Sequence, residues 1–301
     1  MVIIIFGPQV VGATSLSPTI FDLKLAPGES ATYQIKLFNE TSETIYIDGS
    51  IEKFIPQGET GAAQILPFDV TDQSINWLKL PNNSLVLKPD EEISVPVIID
   101  VPRTADIGGY YLAVMWQSAP NPQSTKSDQT LISSRVGSLV LLEVTGEVNH
   151  NLEIVDFDFK NNSKFYLNRP VDFFLRLRNS GSVHERPQGS IVIKNFFGQT
   201  IEALDINFAR SAILPNTTRI FEVAWAKNSE LYPLKKIFNF TIGFYSAKVI
   251  IDYGDNQSLI SEPIYFWVIP WPILILTLII IIIVIILIKV FKKRFSNKFN
   301  G

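Results

Sequence analysis

Apolar and polar residues alternate along most of the chain in short runs broken by turn residues, a period of two that predicts strands with one buried face. Ile20-Phe21-Asp22-Leu23-Lys24-Leu25 stops at Ala26-Pro27-Gly28-Glu29. Tyr33, Ile35 and Leu37 then alternate with Gln34 and Lys36 up to the turn residues Asn39-Glu40-Thr41-Ser42. Ile93, Val95, Val97, Ile99 and Val101 form one apolar face. Pro96 on the other face predicts an edge position or a bulge, because proline donates no ladder hydrogen bond. Tyr110 to Trp116, entered by Gly108-Gly109, is a further strand candidate. The same grammar resumes near Val148, where Val171, Phe173, Leu175 and Leu177 alternate with Asp172, Phe174, Arg176 and Arg178 before the turn Asn179-Ser180-Gly181-Ser182. Further strands are predicted over 191–193 and 238–244. No helical period is sustained between Ser15 and Tyr265. With about seven strand candidates in each half, the pattern predicts two tandem immunoglobulin-like β-sandwiches, residues 14–147 and 148–264.

The alternation ends at Phe266-Trp267-Val268-Ile269-Pro270-Trp271-Pro272, which leads into Ile273 through Ile288 with Thr277 as the only polar member. A helix counted from Phe266 to Ile288 would be about 34 Å long, against a hydrocarbon core of about 30 Å. The run is apolar all round, whereas a core helix carries a stripe. We read residues 265–290 as one C-terminal transmembrane helix and 291–301 as a basic tail. Lys289, Lys292, Lys293, Arg294 and Lys298 follow the run with no acidic residue among them, which places the tail in the cytoplasm and the sandwiches outside. Trp267 and Trp271 fall at the outer interface and, with Lys289, Lys292, Lys293 and Arg294, are the expected membrane-anchor residues. At the other end, Val2 to Phe6 followed by Gly7 to Ala13 reads as the remnant of a signal peptide over 1–13, with Ala13 and Val11 at the small-residue cleavage positions.

Composition narrows the chemistry. Cysteine is absent from the 301 residues, which removes disulfides, thiolate metal sites and cysteine nucleophiles together. Setting aside the tail's five basic residues takes the formal net charge from −3 to −8, which disfavours nucleic acid. His150 and His184 stand in no recognised catalytic context and are expected in solvated positions. No G-x-S-x-G, H-E-x-x-H, phosphate loop or dinucleotide fingerprint occurs, and Asp69-Val70-Thr71-Asp72 lacks the glycine and terminal glutamate of a calcium loop. No catalytic residue, cofactor or metal is expected. The polar stretch Ser118–Thr130 is the longest loop candidate of the first module. Trp77, Tyr110, Tyr111, Trp116 and Trp225 could form a carbohydrate-stacking or protein-binding face, although alternation turns part of that set inward and core packing is the default reading. Asn-x-Ser/Thr sequons stand at Asn39, Asn82, Asn161, Asn216, Asn239 and Asn256. A weak internal similarity links Leu25-Ala26-Pro27-Gly28-Glu29-Ser30, Leu87-Lys88-Pro89-Asp90-Glu91-Glu92 and Ile213-Leu214-Pro215-Asn216-Thr217-Thr218, each placing a proline turn before an alternating strand.

Ile20 to Glu29, the Asn39 turn after the next strand, and Val101-Pro102-Arg103-Thr104-Ala105-Asp106-Ile107-Gly108-Gly109-Tyr110 resemble the first domain of the bacterial WxL-interacting protein family. That resemblance implies an outer peptidoglycan-binding domain, a second sandwich, one span and a basic tail. The second module, with its Arg178-Asn179-Ser180-Gly181 and Leu214-Pro215-Asn216 turns, resembles a general bacterial immunoglobulin-like module instead. The expected function is that of a non-enzymatic, single-pass bacterial surface protein in the plasma membrane. Its partners would be membrane lipid and either peptidoglycan or another surface protein. The alternative is an accessory subunit of a membrane transport or secretion complex.

Overall fold

The computed structural model describes residues 14–66, 72–120, 135–226 and 242–299. The leader expected over 1–13, most of the Ser118–Thr130 loop, the start of the strand expected over 238–244 and the Asn239 sequon lie outside these residues. Two units make up the chain: Met1–Asn151 with Asn179–Glu185 and Ile213–Thr217, and the remainder from Leu152 to Gly301.

The first unit carries β1 (Thr14–Ser17), β2 (Ile20–Leu25), β3 (Ser30–Asn39), β4 (Ile45–Gln57) and β5 (Ala62–Ile65), then a 3₁₀ helix (Gln73–Trp77), β6 (Leu78–Lys79), β7 (Ser84–Leu87), β8 (Glu92–Asp100), β9 (Gly108–Ala119) and β10 (Arg135–Val144). One sheet has the order β1-β3-β8-β6; the other is β2-β10-β9-β4-β5, with β7 also on β4. Every pairing is antiparallel except β10 on β2, where Leu139 faces Ile20 and Val144 faces Leu25. Alternation puts Ile35 and Leu37 of β3 and Val95, Val97 and Ile99 of β8 into one core with Phe21, Leu23, Leu112, Val114, Trp116, Val140 and Leu142 from the facing sheet. Pro96 stands opposite Gln34 of β3, while β6 pairs with Ile98 and Ile99, so among the described residues no strand pairs the other side of β8 at Pro96, where the N–H is missing. Ser118 and Ala119, read from sequence as the start of a loop, continue β9.

The second unit is built from β11 (Leu152–Phe159), β12 (Phe165–Tyr166), β13 (Val171–Asn179), β14 (Gln188–Asn195), β15 (Thr200–Ile206), β16 (Thr217–Trp225), β17 (Gly243–Tyr253), β18 (Gln257–Ile260) and β19 (Ile264–Val268). A sheet β11-β13-β16 faces the sheet β12-β19-β17-β14-β15, with β18 on β17. The core between them is aromatic. Phe266 of β19 lies 5.4 Å from Phe159, 5.9 Å from Phe173 and 5.9 Å from Trp225, ring centre to ring centre. The short β6 and β12 and the split of each sheet edge into several pieces raise the strand count above the seven per half expected from the pattern.

A helix, α1 (Trp271–Phe299), follows after two residues. The sequence pattern starts a helix at Tyr265, but Tyr245, Ser246 and Ala247 of β17 pair with Phe266, Tyr265 and Ile264, and Phe266 is fully buried, so 264–268 is a strand. The connection between β19 and α1 is Ile269-Pro270. Side chains on α1 are described only between Leu274 and Val290. Among the described residues no helix is long and apolar enough to cross a membrane.

Candidate functional site

Asp72 opens the first unit's 3₁₀ helix: its Oδ1 accepts hydrogen bonds from the Ser74 N–H at 3.0 Å and the Ser74 hydroxyl at 2.6 Å. Its other carboxylate oxygen pairs with Lys53 of β4. Burial pulls the Asp72 pKa upward, but the hydrogen bonds from Lys53 and Ser74 outweigh it and hold the carboxyl below the usual range. One turn later the helix delivers Trp77, whose ring centre lies 4.4 Å from that of Tyr110 on β9. The loop before β9 turns at Pro102, where the Ala105 N–H donates to the Pro102 carbonyl at 3.1 Å. The Tyr110 hydroxyl donates back to the Asp106 carbonyl at 3.0 Å. Burial, then the charges of Asp106 and Asp72, push the Tyr110 phenol upward, so it stays a donor at neutral pH.

These pieces enclose a cleft of about 480 Å³, lined by Asp72, Gln73, Trp77, Thr104, Asp106 and Tyr110 among others. A second hollow of about 430 Å³ shares Gln73, Trp77 and Pro102 and ends at the Lys79–Asp100 ion pair, 2.6 Å long. The floor is aromatic and the rim is rich in carboxylate, amide and hydroxyl groups. That combination suits a hydroxyl-rich ligand: the ring faces cover C–H surfaces and the rim groups exchange hydrogen bonds. The Ser74 hydroxyl that donates to Asp72 belongs to a buried residue at the base of the cleft. Among the described residues no three His, Asp or Glu side chains gather as a metal site.

Of the five aromatics singled out from sequence, Trp77 and Tyr110 meet in this cleft. Trp116 and Trp225 are core residues, and Tyr111 is drawn inward, 5.8 Å ring to ring from His184. Five residues of the Val101–Tyr110 segment, Pro102, Thr104, Ala105, Asp106 and Tyr110, line the cleft. The two histidines are not solvated. His184 is 8% exposed with Nε2 2.9 Å from Asp22 Oδ1, and His150 Nδ1 lies 2.6 Å from Oε1 of the buried Glu185. Pairing between segments distant in sequence buries them, and no local pattern announces it. Asn39 offers no usable sequon in the folded chain: it is fully buried, and its Nδ2 reaches the carbonyls of Glu43, Leu87 and Lys88 at 2.8, 3.1 and 2.9 Å.

The expected anchor residues divide between two elements. Trp267 lies on β19, exposed, 5.1 Å from Phe244 ring to ring. Trp271 is the first residue of α1, Lys289 is an exposed residue on it, and Lys292, Lys293 and Arg294 follow on the same helix, with the side chains of Trp271 and of those three outside the described residues.

No family model and no curated protein matches the chain. Among solved structures it is similar to the class 5 fimbriae chaperone CfaA, at 13% identity and a TM-score of 0.43 over 86% of this chain and 100% of that one. It is also similar to the E. coli chaperone DraB, at 10% identity and 0.40 over 83% and 98%, and to the YadV chaperone, at 9% and 0.39 over 83% and 99%. At these values no residue role passes from those proteins to this chain.

Proposed function

We propose that this chain is a non-enzymatic, single-pass surface protein in which α1 anchors two immunoglobulin-like sandwiches and the Trp77–Tyr110 cleft binds a hydroxyl-rich cell-wall polymer. The observation that carries the anchor is the exposure of α1: every described apolar side chain from Leu274 to Val290 is about half exposed, on all sides of the helix. A helix with no polar face finds a stable environment in hydrocarbon, and its apolar sequence continues on the N-terminal side of the described side chains through Trp271-Pro272-Ile273. Lys289 and the basic residues after it then hold the far end at an anionic cytoplasmic surface, with the sandwiches outside. The cleft supports the polymer reading by its aromatic floor and acidic, amide-rich rim, and the resemblance of Val101–Tyr110 to a peptidoglycan-binding domain agrees with it.

Sedimentation of the full chain, in detergent micelles, with isolated bacterial cell walls tests the binding step. Saturable co-sedimentation is expected, weakened roughly ten-fold by Asp106→Ala or Gln73→Ala, since each removes one or two hydrogen bonds to the ligand. Both residues are exposed, so the fold is spared. No wall binding, with retention of one membrane protein from solubilised membranes, would replace this reading by that of a subunit of a membrane complex.

A further inference from the structure

At one end of the second unit's larger sheet, four segments present exposed or half-buried apolar side chains together. Tyr265 and Trp267 of β19 point outward while Phe266 and Val268 point into the core. Phe244 of β17 stacks on Tyr265 at 5.6 Å with the rings 4° from parallel, and lies 5.1 Å from Trp267. Phe196 sits 6.5 Å from Phe244 and 5.6 Å from Phe197, at the tip of the β14–β15 hairpin. Phe165 of β12, opposite Trp267, is 70% exposed.

The hairpin tip is the unusual part. Turn tips are normally Gly, Asn, Asp, Ser or Pro, yet here Phe196 and Phe197 are 74% and 83% exposed. The turn holds them there. Asn195 Oδ1 accepts from the N–H groups of Phe197 and Gln199, both at 3.0 Å, the Gly198 N–H donates to the Asn195 carbonyl at 2.9 Å, and Gly198 supplies the positive φ of +77°. Among the described residues, the ring contacts of these two outward rings are with each other and with Phe244.

Register gives the position of this tip relative to the helix. Asn195 pairs with Tyr245 and Tyr245 with Phe266, so the turn after Asn195 lies level with Trp267 and Val268. The lateral offset is two strand spacings, roughly 10 Å. Only Ile269 and Pro270 separate Val268 from Trp271, which places the start of α1 within roughly 10 Å of Val268. The aromatic end of the sheet is therefore tethered at the point where the apolar helix begins.

We infer that the Phe196-Phe197 hairpin, together with Phe244, Tyr265 and Trp267, rests in the outer face of the lipid bilayer beside α1, a second contact that fixes the tilt of this unit on the membrane. The occupant is lipid because the proposed anchor brings the bilayer surface to this patch; the amphipathic Tyr265 and Trp267 rings favour headgroup depth, and the apolar Phe196, Phe197 and Phe244 rings the adjoining acyl boundary. Lys164, which lines a hollow of about 370 Å³ with Asp158, Phe165, Tyr265 and Trp267, supplies a cation at the same rim. The inference rests on the membrane-span reading of α1.

The chain contains no cysteine, so single cysteines can be introduced without background. Phe197→Cys, Ile280→Cys on α1 and Phe208→Cys, exposed beyond the far end of β15, would each carry an environment-sensitive fluorophore in the full chain. The chain is reconstituted in phosphatidylcholine–phosphatidylglycerol vesicles with nitroxide-labelled lipid. Roughly two-fold quenching at 197 by headgroup-depth nitroxide, deeper quenching at 280 and none at 208 is the expected result. Quenching at 280 without 197 would overturn the hairpin contact and leave the span standing. A blue shift at 197 without quenching would assign the patch to a protein surface and equally overturn the inference. Absence of quenching at 280 would overturn the span itself, whatever position 197 does.

Discussion

Asn39 and Asn179 perform the same task at the ends of β3 and β13. Each is fully buried, each accepts through Oδ1 from the N–H two residues on, Thr41 or Gly181, and each donates through Nδ2 to the carbonyl four residues on, Glu43 or Val183. The same amide then reaches a proline turn distant in sequence, at Leu87 and Lys88 for Asn39 and at Ile213 for Asn179. Asn39→Ala is expected to cost about 2–4 kcal/mol, because several buried carbonyls lose their donor at once. Asn39→Asp should cost more, since it would bury a carboxylate against those same oxygens; urea denaturation of the two variants gives the order. Asp72 makes a pH-dependent contribution. Its folded pKa is depressed, so the stability it adds is present above its unfolded value near 3.8 and is lost as pH falls through the lower folded value. The stability difference between the parent and Asp72→Asn, followed from pH 5 downward by denaturant titration, should therefore shrink as the acid is added, and a constant difference would assign Asp72 a purely capping role.

At the scale of elements, the three proline turns that the sequence links share one geometry. Pro27, Pro89 and Pro215 are each followed by a positive-φ residue, Gly28 at 85°, Asp90 at 57° and Asn216 at 58°. The next N–H returns to the carbonyl before the proline, at 3.0, 3.2 and 3.3 Å. This is the signature of a type II turn, for which glycine or asparagine is suited and a β-branched residue is not. Asn216→Val should cost about 1–2 kcal/mol from backbone strain alone, with Asn216→Gly close to neutral; thermal unfolding of the pair checks it. Strand β19 gives a sharper test. A chain cut after Ser261 loses Phe266 and Val268 from the aromatic core and should leave the second unit unfolded, whereas a cut after Pro270 should keep it folded, as near-ultraviolet circular dichroism would show. Alternation alone makes β3, β8 and β13 legible in the amino-acid order, because each has one wet and one buried face. The last strand is hidden for a physical reason: a strand with aromatics on both faces, running directly into an apolar helix, has no polar alternation to read. The parallel pairing of β10 with β2 and the burial of His184 against Asp22 depend on residues more than a hundred positions apart, beyond the reach of any local pattern. The cleft is half legible, since Trp77 and Tyr110 stand out as aromatics but nothing local joins them to Asp72 and Asp106.

For the whole molecule, the proposed membrane attachment divides between charge and apolarity. Outside the tail the chain carries a formal charge of −8, which an anionic membrane surface repels, so the proposed outer contact must come from aromatic side chains rather than from basic ones. The inner contact is the reverse: five basic residues after Ile288 and no acidic one. If those residues set the orientation, replacing Lys289, Lys292, Lys293, Arg294 and Lys298 together by serine should leave α1 in the membrane but mix its direction, because the remaining apolar run inserts equally well either way. Single cysteines at Phe208 and Ser296 read the result in intact cells through a membrane-impermeant maleimide. The parent tail should give labelling at 208 alone, and the neutral tail should label both positions in part of the population. Labelling at 208 alone in both backgrounds would show that the folded sandwiches, not the basic tail, decide which way the chain faces.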